Sequence, residues 1–231
     1  MVFEDFPMDI VAARTMNTLY IYLDLAWLIL FCGLLLYFKH RLALLVGFLA
    51  GVVYFIVDYV IFYRLLGTRG VQGADPFWFL LWLSFSYGIT NFAWIWLLLD
   101  RDGRAVEWSA LIVTAWLAIA LLSQNFGAVF PAIHIQRGTG EYHGAMALIL
   151  FAGYLFIILQ NLRGMEKISI LRLMAIGIGV QFAWEAVLLV TGIRPAGFGA
   201  LVINSLIETN LGLPYIYFIH RAVTKNLKQG S

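Results

Sequence analysis

The sequence predicts an all-α fold: a polytopic membrane protein of seven transmembrane helices. Three observations carry that prediction. Of the 231 residues, 62% are hydrophobic and only 12% charged, where a soluble domain carries about 25% charged residues. The apolar residues fall into seven continuous runs near the roughly 20 residues that a bilayer crossing requires. Those runs do not alternate polar with apolar, which excludes a membrane β-barrel. Seven spans use the length, so residues 1–231 read as a single transmembrane domain with no room for a second, soluble one. The composition also excludes a disordered chain and a disulfide scaffold. The net charge of +2 is too small to imply nucleic acid as a partner, and the lone Cys32 cannot form an intramolecular bridge.

Each element has a local justification. Residues 1–15 are acidic and mixed, without the basic start and apolar centre of a secretory signal, and read as an interfacial lead-in. The first span, 17–38, stops at the charged turn Lys39-His40-Arg41, and the second covers 42–63. A connection from Gly67 to Pro76, with three glycines, leads to the third span at 77–99. Asp100-Arg101-Asp102-Gly103-Arg104 separates it from the fourth, 105–123. The longest connection runs from Gly127 to Gly140 and precedes span five, 143–162. Arg163-Gly164 and the stretch from Gly192 to Gly197 delimit span six at 168–191 and span seven at 198–220.

Basic residues set the orientation. With the N-terminus outside and the C-terminus inside, ten lysines and arginines lie on the inner side. Five lie on the outer: Arg14, Arg64, Arg69, Arg137 and Arg194. The halves of the chain also echo one another. Span two ends a Phe-x-x-acid string at Asp58 and span six ends one at Glu185, while span three carries Thr90-Asn91 and span seven Thr209-Asn210. Spans 1–3 then match spans 5–7 around a linker span, a 3+1+3 parallel repeat. A second echo, Asn91-Phe-Ala-Trp94 with Gln181-Phe-Ala-Trp184, pairs spans three and six instead.

Four carboxylic acids fall inside spans: Asp24, Asp58, Glu185 and Glu208. Each costs about 2.5–3.5 kcal/mol at the bilayer centre on insertion scales, so such groups face the bundle interior and mark function by default. Each has a polar companion one helical turn earlier (Tyr20, Tyr54, Gln181 and Asn204), and Tyr87 precedes Asn91 in the same way. Spacing of i, i+4 places each pair on one face. The plainer reading is helix-to-helix hydrogen bonding, at about 0.6–2 kcal/mol per contact; so many polar groups together favour a polar cavity. A carboxylic acid kept neutral by desolvation can donate a proton. That suits an acid catalyst and a proton relay equally. Tyr54, Tyr59, Tyr87, Trp94, Trp184 and Tyr215 sit in the same spans and could line a pocket whose ring faces stabilise cations. Single aromatics more simply pack or anchor at the interface.

No lysine lies mid-span, and there is no CxxC, HExxH, P-loop, GxGxxG or aspartate-rich DDxxD motif. No metal or cofactor is therefore expected. Asp100-Arg-Asp102 reads as a solvated turn, the group His134, Glu141 and His143 as a surface loop, and Gly47-xxx-Gly51 as a close helix contact.

These residues resemble the integral-membrane terpene cyclases of fungal meroterpenoid and indole-diterpene biosynthesis and their bacterial relatives. The likeness runs in order along the chain. Asp58 follows an aromatic-rich stretch in span two; Asn91 is followed by Glu107-Trp108; Tyr142-His-Gly-Ala145 opens span five and Arg163-Gly164 closes it; Pro195, Glu208 and Gly212 recur at the family's spacing. Two departures stand out. Asp58 follows valine where the family has Trp-Glu, and Trp184-Glu185 lies instead in span six. The resemblance implies metal-free, proton-initiated cyclisation of a prenylated, in some cases epoxidised, lipophilic substrate. Asp58 and Glu208 would be the catalytic acids, with Glu185, Asn91, Asp24, Asn204, Gln181 and Asn210 in support. The protein would reside in a bacterial inner membrane or, in a eukaryote, the endoplasmic reticulum membrane, with membrane lipid around it. The alternatives are a small-solute transporter or receptor of the 3+1+3 type with a polar midplane site, and a structural protein whose polar stripe only joins helices.

Overall fold

The computed structural model describes residues 11–137, 142–164, 168–195 and 197–229, without the side chains of 11–13, 137, 143, 198–200, 208–209 and 227–229. Most of the chain is helical. α1 (Thr18–Tyr37) starts where the Asn17 side chain accepts a hydrogen bond from the Tyr20 amide. α2 (Arg41–Phe55) runs directly into a π segment, Ile56–Leu65. α3 (Pro76–Tyr87) is capped by Asp75 with proline in its first turn. It continues through a second π segment, Gly88–Phe92, into α4 (Ala93–Asp100). α4 ends at Arg101, in the left-handed conformation with φ 55°. α5 (Ala105–Phe126), α6 (His143–Leu162) and α7 (Ile170–Val190) are uninterrupted. α8 (Phe198–Ile203), a third π segment (Asn204–Glu208) and α9 (Thr209–Gln229) form the last rod. Among the described residues five helical stretches are long and apolar enough to cross a membrane: Thr18–Tyr37, Arg41–Leu65, Ala105–Phe126, Gly144–Leu162 and Ile170–Val190. The rods over 76–100 and 198–229 are the two that π segments divide internally.

The all-α expectation needs one correction. β1 (Val11–Asn17), β2 (Arg69–Gln72) and β3 (Ala132–Arg137) form an antiparallel sheet in the order β1-β3-β2. Thr15 pairs with His134 and Val71 with Ile135. In β3, buried Ile133 and Ile135 alternate with the less buried His134 and Gln136, the two-residue period of a sheet with one face on a core. This sheet gathers the lead-in and two connections over one end of the bundle. The Thr15 amide also bonds the Ile193 carbonyl at 2.8 Å, which brings in the connection after α7.

Close helix contacts are set by glycine. A Cβ on Gly47 would lie 2.9 Å from the Ile89 backbone, so α2 and the second π segment approach as only glycine permits. A Cβ on Gly177 would lie 2.8 Å from Asn210 Oδ1, and α7 meets α9 the same way. A tryptophan column, Trp94–Trp116–Trp184, joins α4, α5 and α7 with ring centroids 5.9 and 5.0 Å apart. At the end opposite the sheet, Asp102 pairs with His40 at 3.4 Å and Asp100 with His220 at 2.6 Å. The Asp-Arg-Asp turn thus ties α4 to neighbouring helices.

Candidate functional site

The three π segments hold Asp58, Asn91 and Glu208. π-helix is rare, under about 1% of residues, and is frequent at functional sites. Its wider i→i+5 turn, as in the bond from the Leu66 amide to the Ile61 carbonyl at 2.9 Å, re-aims side chains away from the ordinary helical stripe. The Glu208 side chain lies outside the described residues. Leu211 and Gly212, three and four positions on, line the cavity described next.

That cavity, of about 480 Å³, lies among α2 with its π segment, α3, α7 and α9. Along α2 and its π segment it extends from Val46 to Phe62, roughly 24 Å at about 1.5 Å rise per residue. One end is charged, with Asp58, Arg69 and Arg14 in its wall. Tyr54, Tyr87, Phe92, Trp184 and Tyr215 supply aromatic walls, and Val46, Leu49, Ala50, Ile216 and Ile219 the aliphatic remainder. Leu49, Val53, Tyr215 and Ile219 are also exposed on the bundle's flank, so the cavity opens sideways. Ser84 Oγ and Trp184 Nε1, on two of the lining residues, are buried and find no hydrogen-bond partner among the described residues. Buried polar atoms are ordinarily satisfied, so both are available to a polar atom of a ligand.

The charges are paired. Arg69 Nη2 lies 3.1 Å from Asp58 Oδ2, both groups being nearly buried. Glu185, fully buried, meets Arg194 at 3.1 Å and Arg14 at 3.5 Å. It also accepts hydrogen bonds from Gln181 Nε2 at 3.1 Å and Asn204 Nδ2 at 3.3 Å. Tyr87 donates to Gln181 Oε1 at 2.7 Å. A continuous polar network thus leads from the cavity wall at Tyr87 and Gln181 to the Arg14–Glu185–Arg194 cluster behind it. Two charges in a dry interior are tolerated only when well paired and hydrogen-bonded, and here the sheet end of the molecule delivers the counter-charges.

The polar companions expected on one face do not all bond to each other. Asp24 accepts from Trp82 Nε1 at 2.9 Å and bonds Ser86, whereas the Tyr20 hydroxyl is without a partner among the described residues. The Tyr20 ring instead packs edge-on against Trp82 at 6.0 Å. Asn91 Nδ2 donates to the Tyr87 carbonyl at 3.0 Å, and Asn210 Oδ1 accepts from Tyr154 at 2.6 Å. One expected grouping needs correction: Tyr59 and Trp94 are not among the residues that line this cavity with Tyr54, Tyr87, Trp184 and Tyr215. Tyr59 stacks between Phe55 and Tyr63, and Trp94 donates to Ser109 at 2.8 Å beside Trp116. Sequence reasoning missed Arg14, Arg69 and Arg194 because it placed them in outer connections. The signal that would have found them is electrostatic: acids buried among apolar residues need counterions, and these arginines flank the spans that hold the acids.

Among the described residues no three His, Cys, Asp or Glu stand close enough to hold a metal. Glu141 and the His143 side chain lie outside the described residues, and His134 Nδ1 is 3.1 Å from Thr15 Oγ1. Searches of protein-family models, curated proteins and solved structures find no match to this chain.

Proposed function

We propose that the chain crosses the membrane seven times, N-terminus out and C-terminus in, and is an intramembrane terpene cyclase acting on a prenylated lipophilic substrate. The observation that carries this reading is the elongated cavity: charged at one end, aromatic along its walls, aliphatic at the other and open to the flank. A chain-shaped molecule with one polar end matches it in form. Its volume falls within the roughly 300–1,000 Å³ usual for small-molecule sites. A prenylated molecule would enter from the lipid without first passing through water.

We assign the two acids different roles. Asp58, paired with Arg69 at 3.1 Å, would stabilise the developing cation and take the proton that ends the cascade. The opening step then falls to Glu208, the other of the two acids that the resemblance implies. Its carboxyl proton would pass to an epoxide oxygen or a terminal alkene carbon, and a new carbon–carbon bond would close the ring. Loss of a proton to Asp58 leaves a product isomeric with the substrate. Glu185 lies outside the cavity wall, and its part is to hold the sheet end against α7. The test feeds membranes containing the protein with prenylated aromatic substrates, with and without a terminal epoxide. The expected product has unchanged mass and altered chromatographic retention, and Asp58→Asn lowers its formation at least a hundredfold. Full activity in both Asp58→Asn and Glu208→Gln would overturn the assignment.

One observation favours the second reading, a transporter or receptor of the 3+1+3 type. Gly47 of span two packs on Ile89 of span three, and Gly177 of span six packs on Asn210 of span seven, so each half makes a glycine contact between corresponding spans. Flux of a solute into proteoliposomes without chemical conversion would support that reading instead.

A further inference from the structure

A second cavity, also of about 480 Å³, lies at the end opposite the sheet, between the turn after α4, the start of α7 and the last turns of α9. Four cationic side chains line it, Arg101, Arg172, Arg221 and Lys225, and among the described residues no aspartate or glutamate does. Asp100, the chain neighbour of Arg101, is engaged by His220 at 2.6 Å. Arg172 is aimed by its bond to the Leu98 carbonyl at 2.6 Å, and Arg101 lies near enough for their charges to repel. The left-handed backbone of Arg101 turns the chain at this point. The positive-inside tendency accounts for basic residues on this side of the membrane. It does not account for four of them, drawn from three separate elements, around one concavity at mutual electrostatic cost. Ser169 and Thr224 add hydroxyls to the same wall, and α7 begins there, so its N-terminal dipole also favours negative charge.

We propose that this cavity binds a phosphate-bearing ligand at the inner membrane surface. Arginine forks match phosphate oxygens in geometry and charge, and basic pockets between membrane helices on the cytoplasmic side hold lipid head groups. The phosphate could belong to an anionic lipid or to a soluble compound, and the experiment separates the two. The full-length protein is purified and placed in nanodiscs of phosphatidylcholine alone or with phosphatidic acid. The phosphatidylcholine discs are also titrated with pyrophosphate.

Binding is read as retained phosphatidic acid after delipidation, by native mass spectrometry, and as the rise in melting temperature with pyrophosphate. The wild type is expected to hold at least one of these probes. Arg101→Gln with Lys225→Gln, both exposed and so compatible with folding, is expected to weaken that hold at least tenfold. The control Arg41→Gln with Arg163→Gln removes two charges predicted for the same side but outside the cavity, and is expected to change nothing. Retention of phosphatidic acid alone assigns the site to lipid; a response to pyrophosphate assigns it to soluble phosphate. No binding of either probe, or equal loss in the control, overturns the proposal.

Discussion

Neutralising Glu185 tests whether the sheet end is locked to the bundle by charge. Glu185 is 0% exposed and Arg194 2%, with 3.1 Å between them, and Arg14 stands 3.5 Å away on the other carboxylate oxygen at 15% exposure. Glu185→Gln keeps the shape and the contacts to Gln181 and Asn204 but leaves two arginines without their carboxylate. Removing one partner of a buried pair costs about 3–5 kcal/mol. The upper part of that range is expected here, because Arg194 cannot reach water from its buried position. Arg194→Met should cost less, about 3 kcal/mol, since Glu185 keeps Arg14. The double variant should fall well short of the sum, with a coupling of about 1–3 kcal/mol. Reversible unfolding in mixed detergent micelles, followed by tryptophan fluorescence, measures all three; Trp184 and Trp116, with ring centroids 5.0 Å apart, report from beside the site. Strict additivity, or a Glu185→Gln variant within 0.5 kcal/mol of the wild type, would refute the ion-pair lock.

Further outcomes follow from the same geometry. Gly212→Phe should abolish binding of a labelled prenyl probe with little loss of stability, because a Cβ there meets nothing nearer than the Phe92 ring at 4.0 Å and projects into the cavity; equilibrium binding and melting curves check it. Gly47→Ala should destabilise by about 1–3 kcal/mol, because its Cβ would press on the Ile89 backbone rather than on a yielding side chain; detergent unfolding measures it. Trp82→Phe should cost about 1.5–3 kcal/mol by removing a donor from the buried Asp24 carboxyl, and an unchanged unfolding midpoint would show that Ser86 alone satisfies it.

What could be read from the sequence depended on the range of the interaction. Apolar runs need only local composition, so the expected span 105–123 lies within α5 at Ala105–Phe126, and 168–191 frames α7 at Ile170–Val190. Gln181 and Glu185 bond as their spacing implies, because both sit in regular α-helix. Tyr20 and Asp24 share that spacing yet do not pair, since α3 presents a better donor in Trp82. The sheet was hidden because its strands are short and its partners distant: Thr15 meets His134 across four intervening spans. The alternation of Ile133 and Ile135 with polar neighbours was its one local trace. The π segments leave no residue signature, as the i→i+5 turn is a property of backbone geometry. Their coincidence with Asp58, Asn91 and Glu208 could be seen only in three dimensions.

The buried arginines also bear on the proposed orientation. Topology is inferred from basic residues left in the loops, and the count of five outer against ten inner includes Arg14, Arg69 and Arg194. Those three pair with Glu185 and Asp58, which balance two of their three charges. The side that holds them therefore presents less positive charge than the count assigns it. On the proposed inner side, by contrast, Arg101, Arg172, Arg221 and Lys225 line one cavity, with no lining acid among the described residues. In the proposed orientation the charge difference across the membrane is steeper than the linear count suggests. The sheet end supplies counterions to the buried acids, and the opposite end holds the anion site proposed above. If the chain is inserted as proposed, an impermeant amine-reactive reagent added outside intact cells should leave Lys225 unlabelled, while labelling after permeabilisation should reach it. Labelling of Lys225 from outside would reverse the orientation, and with it the side of the membrane on which the phosphate ligand must be sought.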